Sequence, residues 1–152
     1  MNDIEKKTVF ISGSKTVGNL SEAVANWLCN FTEGGEHLII GDREGAELAI
    51  QNYLNSLGYR EVSVYYSGER CRFNVGSWQE EKAEKLNVLI EKCDSAFFVW
   101  DGKTEEIKDG ITAARKRGIP IYLYNVPKKR IRVVRARTTQ GPNTIQIQNK
   151  SI

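Results

Sequence analysis

Three short turns combine glycines with hydroxyl or carboxylate side chains, and each turn follows a predicted buried strand. The first is Ser12-Gly13-Ser14, the second spans residues 41–45, and the third is Trp100-Asp101-Gly102. A strand that ends in such a turn and leads into a helix directs backbone N–H groups and the positive end of the helix dipole at one point. This arrangement suits an anion such as phosphate, although a plain strand–helix turn would use the same glycines.

The side chains of these turns could recognise a sugar or a base as well as a phosphate. Asp42 and Asp101 could accept hydrogen bonds from ribose hydroxyls or base edges. Ser12 and Ser14, with the glycine N–H groups, could hold a phosphate. These residue types together favour a nucleotide-like ligand.

A long polar segment, residues 66–78, could close over the same ligand. It carries Arg70 and Arg72, which could act as charge-assisted donors, and the aromatic residues Phe73 and Trp78. One of these rings, or that of Trp100, could stack on a base. Long segments without regular structure are usually functional or disordered, but here the rings could equally be packing anchors of a surface loop.

Near-continuous apolar strands alternate with amphipathic helices along the chain, and this alternation positions the turns. Strands are predicted at residues 8–13, 38–40, 61–65, 95–100 and 119–124, and helices at about 20–33, 46–57, 79–93 and 104–117. The pattern predicts an α/β fold, a Rossmann-like doubly wound parallel sheet of about five strands covered on both faces. The usual strand order, 3-2-1-4-5, would bring the three turns to one cleft at the carboxyl ends of the strands.

Charge divides the chain unevenly and suggests its domain organisation. Residues 1–109 hold all 19 acidic residues and 12 of the 22 Lys and Arg, whereas residues 110–152 hold ten Lys and Arg and no acid. We predict a Rossmann-like domain at 1–126 and a basic C-terminal extension at 127–152. The extension could bind nucleic acid through six cations between Lys128 and Arg137, or add an edge strand whose charges discourage aggregation.

Other residue types narrow the chemistry and the location. The three cysteines are widely spaced, and only Cys71 lies in a polar segment where a reactive thiol would be accessible. With a single histidine, His37, and no thiolate pair, we predict no metal site and no cofactor. No apolar run approaches the roughly 18 residues that span a bilayer, and the N-terminus lacks a signal-peptide core, so we expect no membrane partner and a cytoplasmic protein.

Three motifs together resemble those of small bacterial and phage proteins of the SLOG superfamily. The motifs are Ile40-Gly41-Asp42-Arg43-Glu44-Gly45-Ala46-Glu47, Arg72-Phe73-Asn74-Val75-Gly76 and Val99-Trp100-Asp101-Gly102-Lys103-Thr104. That superfamily contains DNA-processing protein A and the LONELY GUY (lysine-decarboxylase-like) domains. The resemblance implies a Rossmann-like sheet that binds nucleotides, nucleotide-derived signals or nucleic acid. Some members are phosphoribohydrolases that cleave an N-glycosidic bond.

The chain departs from the superfamily pattern at two places. Gly45-Ala46-Glu47 stands where Gly-Ala-Asp is usual, and Thr104-Glu105-Glu106-Ile107 stands where a phosphate-receiving Ser-x-Gly-Thr turn is usual. Two carboxylates in the first turn of a helix suit its dipole but repel a phosphate. Either the phosphate sits at one of the first two turns, or this chain has lost that ligand. The Gly-Gly-x-Gly-Thr signature of the phosphoribohydrolases is also absent.

These observations lead to one preferred function and two alternatives. We predict binding of a nucleotide or nucleotide-derived small ligand, as a sensor or sequestering module, with homo-oligomerisation left open because related folds often dimerise. The alternatives are an N-glycosidic hydrolase or transferase whose carboxylate is Glu47, Asp42 or Asp101, chiefly Glu47 and Asp101, and nucleic-acid binding through the basic extension. The predicted ligand-binding residues are Ser12, Gly13, Ser14, Gly41, Asp42, Gly45, Glu47, Arg70, Arg72, Asn74, Trp100, Asp101, Gly102 and Thr104.

Overall fold

A computed structural model describes residues 6–134 and shows one seven-stranded sheet with helices on both faces. The strands are β1 (Thr8–Gly13), β2 (His37–Gly41), β3 (Val62–Tyr66), β4 (Gln79–Lys82), β5 (Ser95–Trp100), β6 (Ile121–Asn125) and β7 (Arg130–Val134). The helices are α1 (Glu22–Glu33), α2 (Ala46–Ser56), α3 (Leu86–Ile90) and α4 (Glu105–Arg117). The predicted Rossmann-like α/β fold is confirmed.

The strand order places β1 at the centre of the sheet. The order is β4-β3-β2-β1-β5-β6-β7, and every neighbouring pair is parallel except β6 and β7. The predicted order of five strands forms the middle of this sheet, with one further strand at each edge. Because β1 lies between β2 and β5, the turns that follow these three strands share one edge of the sheet.

Each face of the sheet buries its own apolar cluster. In β1, Val9 and Ile11 pack beneath α1 and α2, whereas Phe10 packs with Phe98 beneath α3 and α4. Alternate residues of a strand point to opposite faces, so a strand buried on both faces must be apolar throughout. Each fully buried side chain of this size contributes about 2 kcal/mol. This double burial holds the turns in place at the carboxyl edge.

The predicted helix at 79–93 is wrong. Residues Gln79–Lys82 form the edge strand β4, which pairs with β3, and only Leu86–Ile90 is helical. Gln, Glu and Lys have good helix propensity, but propensity is a weak preference that tertiary context overrides. Here the unpaired backbone edge of β3 provides the competing hydrogen bonds.

The described part of the basic extension belongs to the sheet. β7 (Arg130–Val134) pairs antiparallel with β6 and buries Ile131, which confirms the predicted edge strand. The remaining residues of the extension, 135–152, lie outside the described residues.

Among residues 6–134, no helix combines the length and the apolar character that crossing a lipid bilayer requires. The cytoplasmic location stays a prediction.

Candidate functional site

The structure brings the three glycine-containing turns together through Ser14. This buried residue accepts a hydrogen bond at its hydroxyl from the N–H of Asp101 (3.1 Å) and at its carbonyl from the N–H of Ala46 (3.1 Å). The first turn is therefore bonded both to the third turn and to the start of α2. Residues more than 80 positions apart in the chain meet at one edge of the sheet.

Glu47 fills the place where the sequence suggests an anion. Its carboxylate is 0% exposed and accepts hydrogen bonds from the Ser12 hydroxyl (3.0 Å) and the Gly13 N–H (3.2 Å). It also accepts from the backbone N–H of Arg43 (3.1 Å) and from Nε and Nη2 of the same residue (3.4 and 3.1 Å). Two of the backbone N–H groups predicted to hold a phosphate thus hold a carboxylate of the chain itself.

Gly41 makes room for this carboxylate at the end of β2. A Cβ atom at Gly41 would lie 2.2 Å from Oε1 of Glu47, far inside van der Waals contact. Glycine is therefore required here so that Glu47 can reach across the end of β2, and not to expose backbone to a ligand.

Asp101, like Glu47, accepts hydrogen bonds from N–H groups of its own turn, just before α4. Its carboxylate accepts hydrogen bonds from the N–H groups of Lys103 and Thr104 (both 2.8 Å) and from the Thr16 hydroxyl (2.7 Å). Partial burial would raise the pKa of Asp101, but these hydrogen bonds outweigh burial and hold the pKa well below its usual range. Asp101 is therefore an ionised group that joins the loop after β1 to the third turn, just before α4.

Replacing Asp101 with Asn should destabilise the protein in a pH-dependent way. A carboxylate whose pKa is lower in the folded state stabilises the fold above its unfolded pKa, about 3.9, and loses that contribution as the pH falls towards the folded value. Weakening the hydrogen bonds of a charged acceptor costs about 1 kcal/mol, so we expect this difference at pH 7 and a smaller one at pH 3, both measured by urea unfolding. Asp109→Asn, on the exposed face of α4, is the control. An equal loss for Asp101→Asn at both pH values would contradict this role.

Asp42 anchors the polar segment through Arg72. The nearly buried carboxylate of Asp42 accepts hydrogen bonds from the N–H and Nε of Arg72 (2.9 and 3.3 Å). From α2, Gln51 donates to the carbonyl of Phe73 (3.0 Å) and accepts from the N–H of Val75 (3.0 Å). The segment is thus tied down beside the carboxyl ends of β2 and β3.

Several residues of this segment have structural roles. Asn74 closes the segment on itself, because its side chain bonds both the N–H and the carbonyl of Trp78 (2.9 and 2.8 Å). Trp78 is 5% exposed and donates its indole N–H to the carbonyl of Tyr59 (2.9 Å), so the packing interpretation applies to this ring. Burial, with the carboxylates of Glu80 and Asp42 nearby, raises the pKa of Cys71 to about 11, which disfavours a reactive thiolate at neutral pH.

A cavity of about 230 Å³ opens beside these turns, at the carboxyl ends of β1, β2 and β3. It lies on the face of the sheet that α3 and α4 cover. Its lining residues are Ser12, Asp42, Arg43, Glu47, Tyr65, Tyr66, Ser67, Arg72, Ala83, Glu84, Leu86 and Glu106.

Four of the predicted ligand-binding residues line this cavity: Ser12, Asp42, Glu47 and Arg72. The others do not: Gly13, Ser14, Gly41 and Gly45 build the first two turns, Arg70 and Asn74 lie in the polar segment, and Trp100, Asp101, Gly102 and Thr104 form the third turn. The indole N–H of Trp100 donates to the carbonyl of Thr104 (3.1 Å), so this ring supports its own turn.

Sequence reasoning missed the side chains at the end of β3 and directly after it. Tyr65, Tyr66 and Ser67 line the cavity from the end of that strand. The expectation that ligands bind at the carboxyl ends of strands applies to β3 as well, and it could have found them. Glu84 and Leu86 were missed because this stretch was assigned to a long helix.

The cavity contains a buried charge cluster beside an aromatic ring. Arg43 donates to Glu47 on one side and to Glu106 on the other. Burial would lower the pKa of Arg43, but these carboxylates raise it beyond its usual value, so the guanidinium stays charged. Burial, with the Glu47 carboxylate adding to it, raises the pKa of Tyr65, whose neutral ring stacks on Phe10 at 5.4 Å.

Within the described residues 6–134, no group of His, Cys, Asp and Glu is arranged to hold a metal ion. Comparison with protein families, curated proteins and solved structures finds no match to this chain. The SLOG resemblance therefore stays a prediction.

Proposed function

We propose that the protein binds a nucleotide or a nucleotide-derived small ligand, as a sensor or a sequestering module. The observation that supports this most directly is the cavity at the carboxyl ends of β1, β2 and β3. Open parallel sheets bind ligands outside this edge, close to the point where the strand order reverses. In this sheet the order reverses between β1 and β5, and the cavity is lined by Ser12 at the end of β1 and by Glu106 of the helix that follows β5.

The size of the cavity favours a small ligand. Pockets for drug-sized molecules usually measure about 300–1,000 Å³, and this cavity measures about 230 Å³. A nucleoside or a single nucleotide suits this volume better than a dinucleotide does.

The lining groups supply the contacts that such a ligand needs. Tyr65 offers aromatic surface for a base, and base–aromatic stacking is worth about 1–3 kcal/mol. The hydroxyl of Ser67 and the carboxylate of Asp42 lie on the same cavity and can bond sugar hydroxyls. The motif resemblance to SLOG proteins supports the same class of ligand.

The condition of the two candidate catalytic carboxylates favours binding over N-glycosidic cleavage. Glu47 is fully buried and accepts five hydrogen bonds, and Asp101 does not line the cavity. Cleavage through an oxocarbenium-like transition state needs a carboxylate beside the anomeric carbon. As placed, neither side chain presents an open oxygen to a ligand in the cavity.

Calorimetric titration with the four common ribonucleosides and their 5′-monophosphates tests this proposal. We expect saturable binding of at least one of them, and a Ser67→Phe variant should weaken it about tenfold or more, which corresponds to about 1.4 kcal/mol, because the new ring obstructs the cavity. Ser67 is exposed, so the substitution leaves the core intact. Ser56→Phe is the matched control, at the exposed end of α2 on the opposite edge of the sheet. No binding across the panel, or equal binding by the two variants, would count against the proposal.

A further inference from the structure

We infer that the cavity selects an unphosphorylated nucleoside over its nucleotides, and that Glu106 is the residue that sets this preference. The inference rests on the proposed function and specifies its ligand. It follows from the charges that line the cavity and from the partners that Arg43 already has.

Carboxylates outnumber cations in the lining. Two arginines, Arg43 and Arg72, share the cavity with Asp42, Glu47, Glu84 and Glu106, which gives the lining a formal charge of −2. A phosphate monoester carries a charge of about −1.5 to −2 near neutral pH. The net charge of the lining therefore disfavours a phosphate, whereas the exposed carboxylates of Glu84 and Glu106 can accept hydrogen bonds from hydroxyl and amino groups.

Every guanidinium nitrogen of Arg43 already donates to a partner. Its Nε bonds Glu47 (3.4 Å), its Nη2 bonds both Glu47 (3.1 Å) and the carbonyl of Gly13 (3.2 Å), and its Nη1 bonds Glu106. The side chain of Arg43 is only 16% exposed. A phosphate that approaches Nη1 meets the Glu106 carboxylate already bonded there.

N–H groups in the turns that precede α2 and α4 are also occupied. The carboxylate of Glu47 accepts from the N–H groups of Gly13 and Arg43, and that of Asp101 accepts from those of Lys103 and Thr104. A phosphate could use these four N–H groups only by displacing a carboxylate of the chain itself.

Glu106 is the component of this arrangement that can be removed without harm to the core. Its side chain is 63% exposed, whereas Glu47 is fully buried. A glutamine at this position keeps an oxygen that can bond Arg43 but removes the negative charge, so a phosphate should approach Nη1 of Arg43 more easily. Charge-assisted bonds from arginine to phosphate are among the strong ones in proteins.

The experiment compares Glu106→Gln with Glu105→Gln. The two residues are neighbours in the first turn of α4 and lose the same charge, but only Glu106 lines the cavity and bonds Arg43. Dissociation constants are measured by calorimetry for adenosine, guanosine, cytidine and uridine and for their 5′-monophosphates. The readout is the ratio of the two constants for each base.

In the unmodified protein we expect the dissociation constant of the nucleoside to be lower than that of its monophosphate by a factor of about ten or more. In Glu106→Gln this ratio should fall about tenfold, because the monophosphate binds better, and in Glu105→Gln it should stay as in the unmodified protein. Tighter binding of the monophosphate by the unmodified protein, or an unchanged ratio in Glu106→Gln, overturns this inference and leaves the proposed function standing. Failure of every nucleoside and monophosphate to bind overturns both.

Discussion

Replacing Glu47 with Gln should lower the free energy of unfolding by about 3 kcal/mol. The carboxylate is fully buried and neutralises Arg43, whose side chain is only 16% exposed. A glutamine of the same size keeps the volume, but its NH₂ group would face N–H and O–H donors that now point at an oxygen. The variant therefore leaves a cation poorly compensated and some buried donors without an acceptor, and both effects are costly.

Urea unfolding at pH 7 measures this loss. Glu44→Gln is the matched control, since Glu44 lies in the same turn and is exposed, and it should change stability by less than about 0.5 kcal/mol. A loss below about 1 kcal/mol for Glu47→Gln would show that the carboxylate is not the anchor of the turns.

Replacing Gly45 with Ala should cost more than about 3 kcal/mol. Gly45 precedes α2 with a φ of 83°, in a region that residues with a Cβ rarely adopt. In addition, a Cβ at this position would lie 2.3 Å from the carbonyl oxygen of Lys15, a backbone atom that cannot rotate away. The variant must separate the start of α2 from the loop after β1, and these are two of the segments that meet at the carboxyl edge.

Gly58→Ala distinguishes these two causes. Gly58 also has a positive φ, 70°, but nothing lies within 4 Å of a Cβ built on it. It should therefore lose only the conformational part, about 1–2 kcal/mol. Both variants are measured by urea unfolding. Equal losses at the two positions would mean that the close approach of Gly45 to Lys15 has no energetic consequence.

Much of the fold could be predicted from the sequence because its signals are local. The apolar runs 8–11 and 95–100 read as strands buried on both faces, and the helical spacing of apolar residues in α1 and α2 predicts their inward faces. The prediction of a helix at 79–93 was wrong because a four-residue edge strand has no local signal that competes with the helix propensity of Gln, Glu and Lys. Its pairing depends on β3, which lies more than a dozen residues earlier.

The position of the candidate site could be predicted from the sequence, but most of the side chains that line it could not. The turns at 12–14, 41–45 and 100–102 do meet, because parallel strands β2, β1 and β5 are neighbours. The residues that line the cavity extend beyond these turns to the end of β3 and the start of α4, and only a three-dimensional arrangement combines them.

By itself, the amino-acid sequence determined the α/β class, the central strand order and the edge of the sheet where polar side chains collect. These properties depend on hydrophobic periodicity and on the general geometry of parallel sheets. Only the tertiary structure decided that Glu47 and Asp101 occupy the anion positions of their turns and that Arg43 lies between two carboxylates. The reason is one of distance: a glycine N–H donates equally well to a phosphate or to an internal carboxylate, and which of them it meets depends on whether a side chain 34 residues away can reach it.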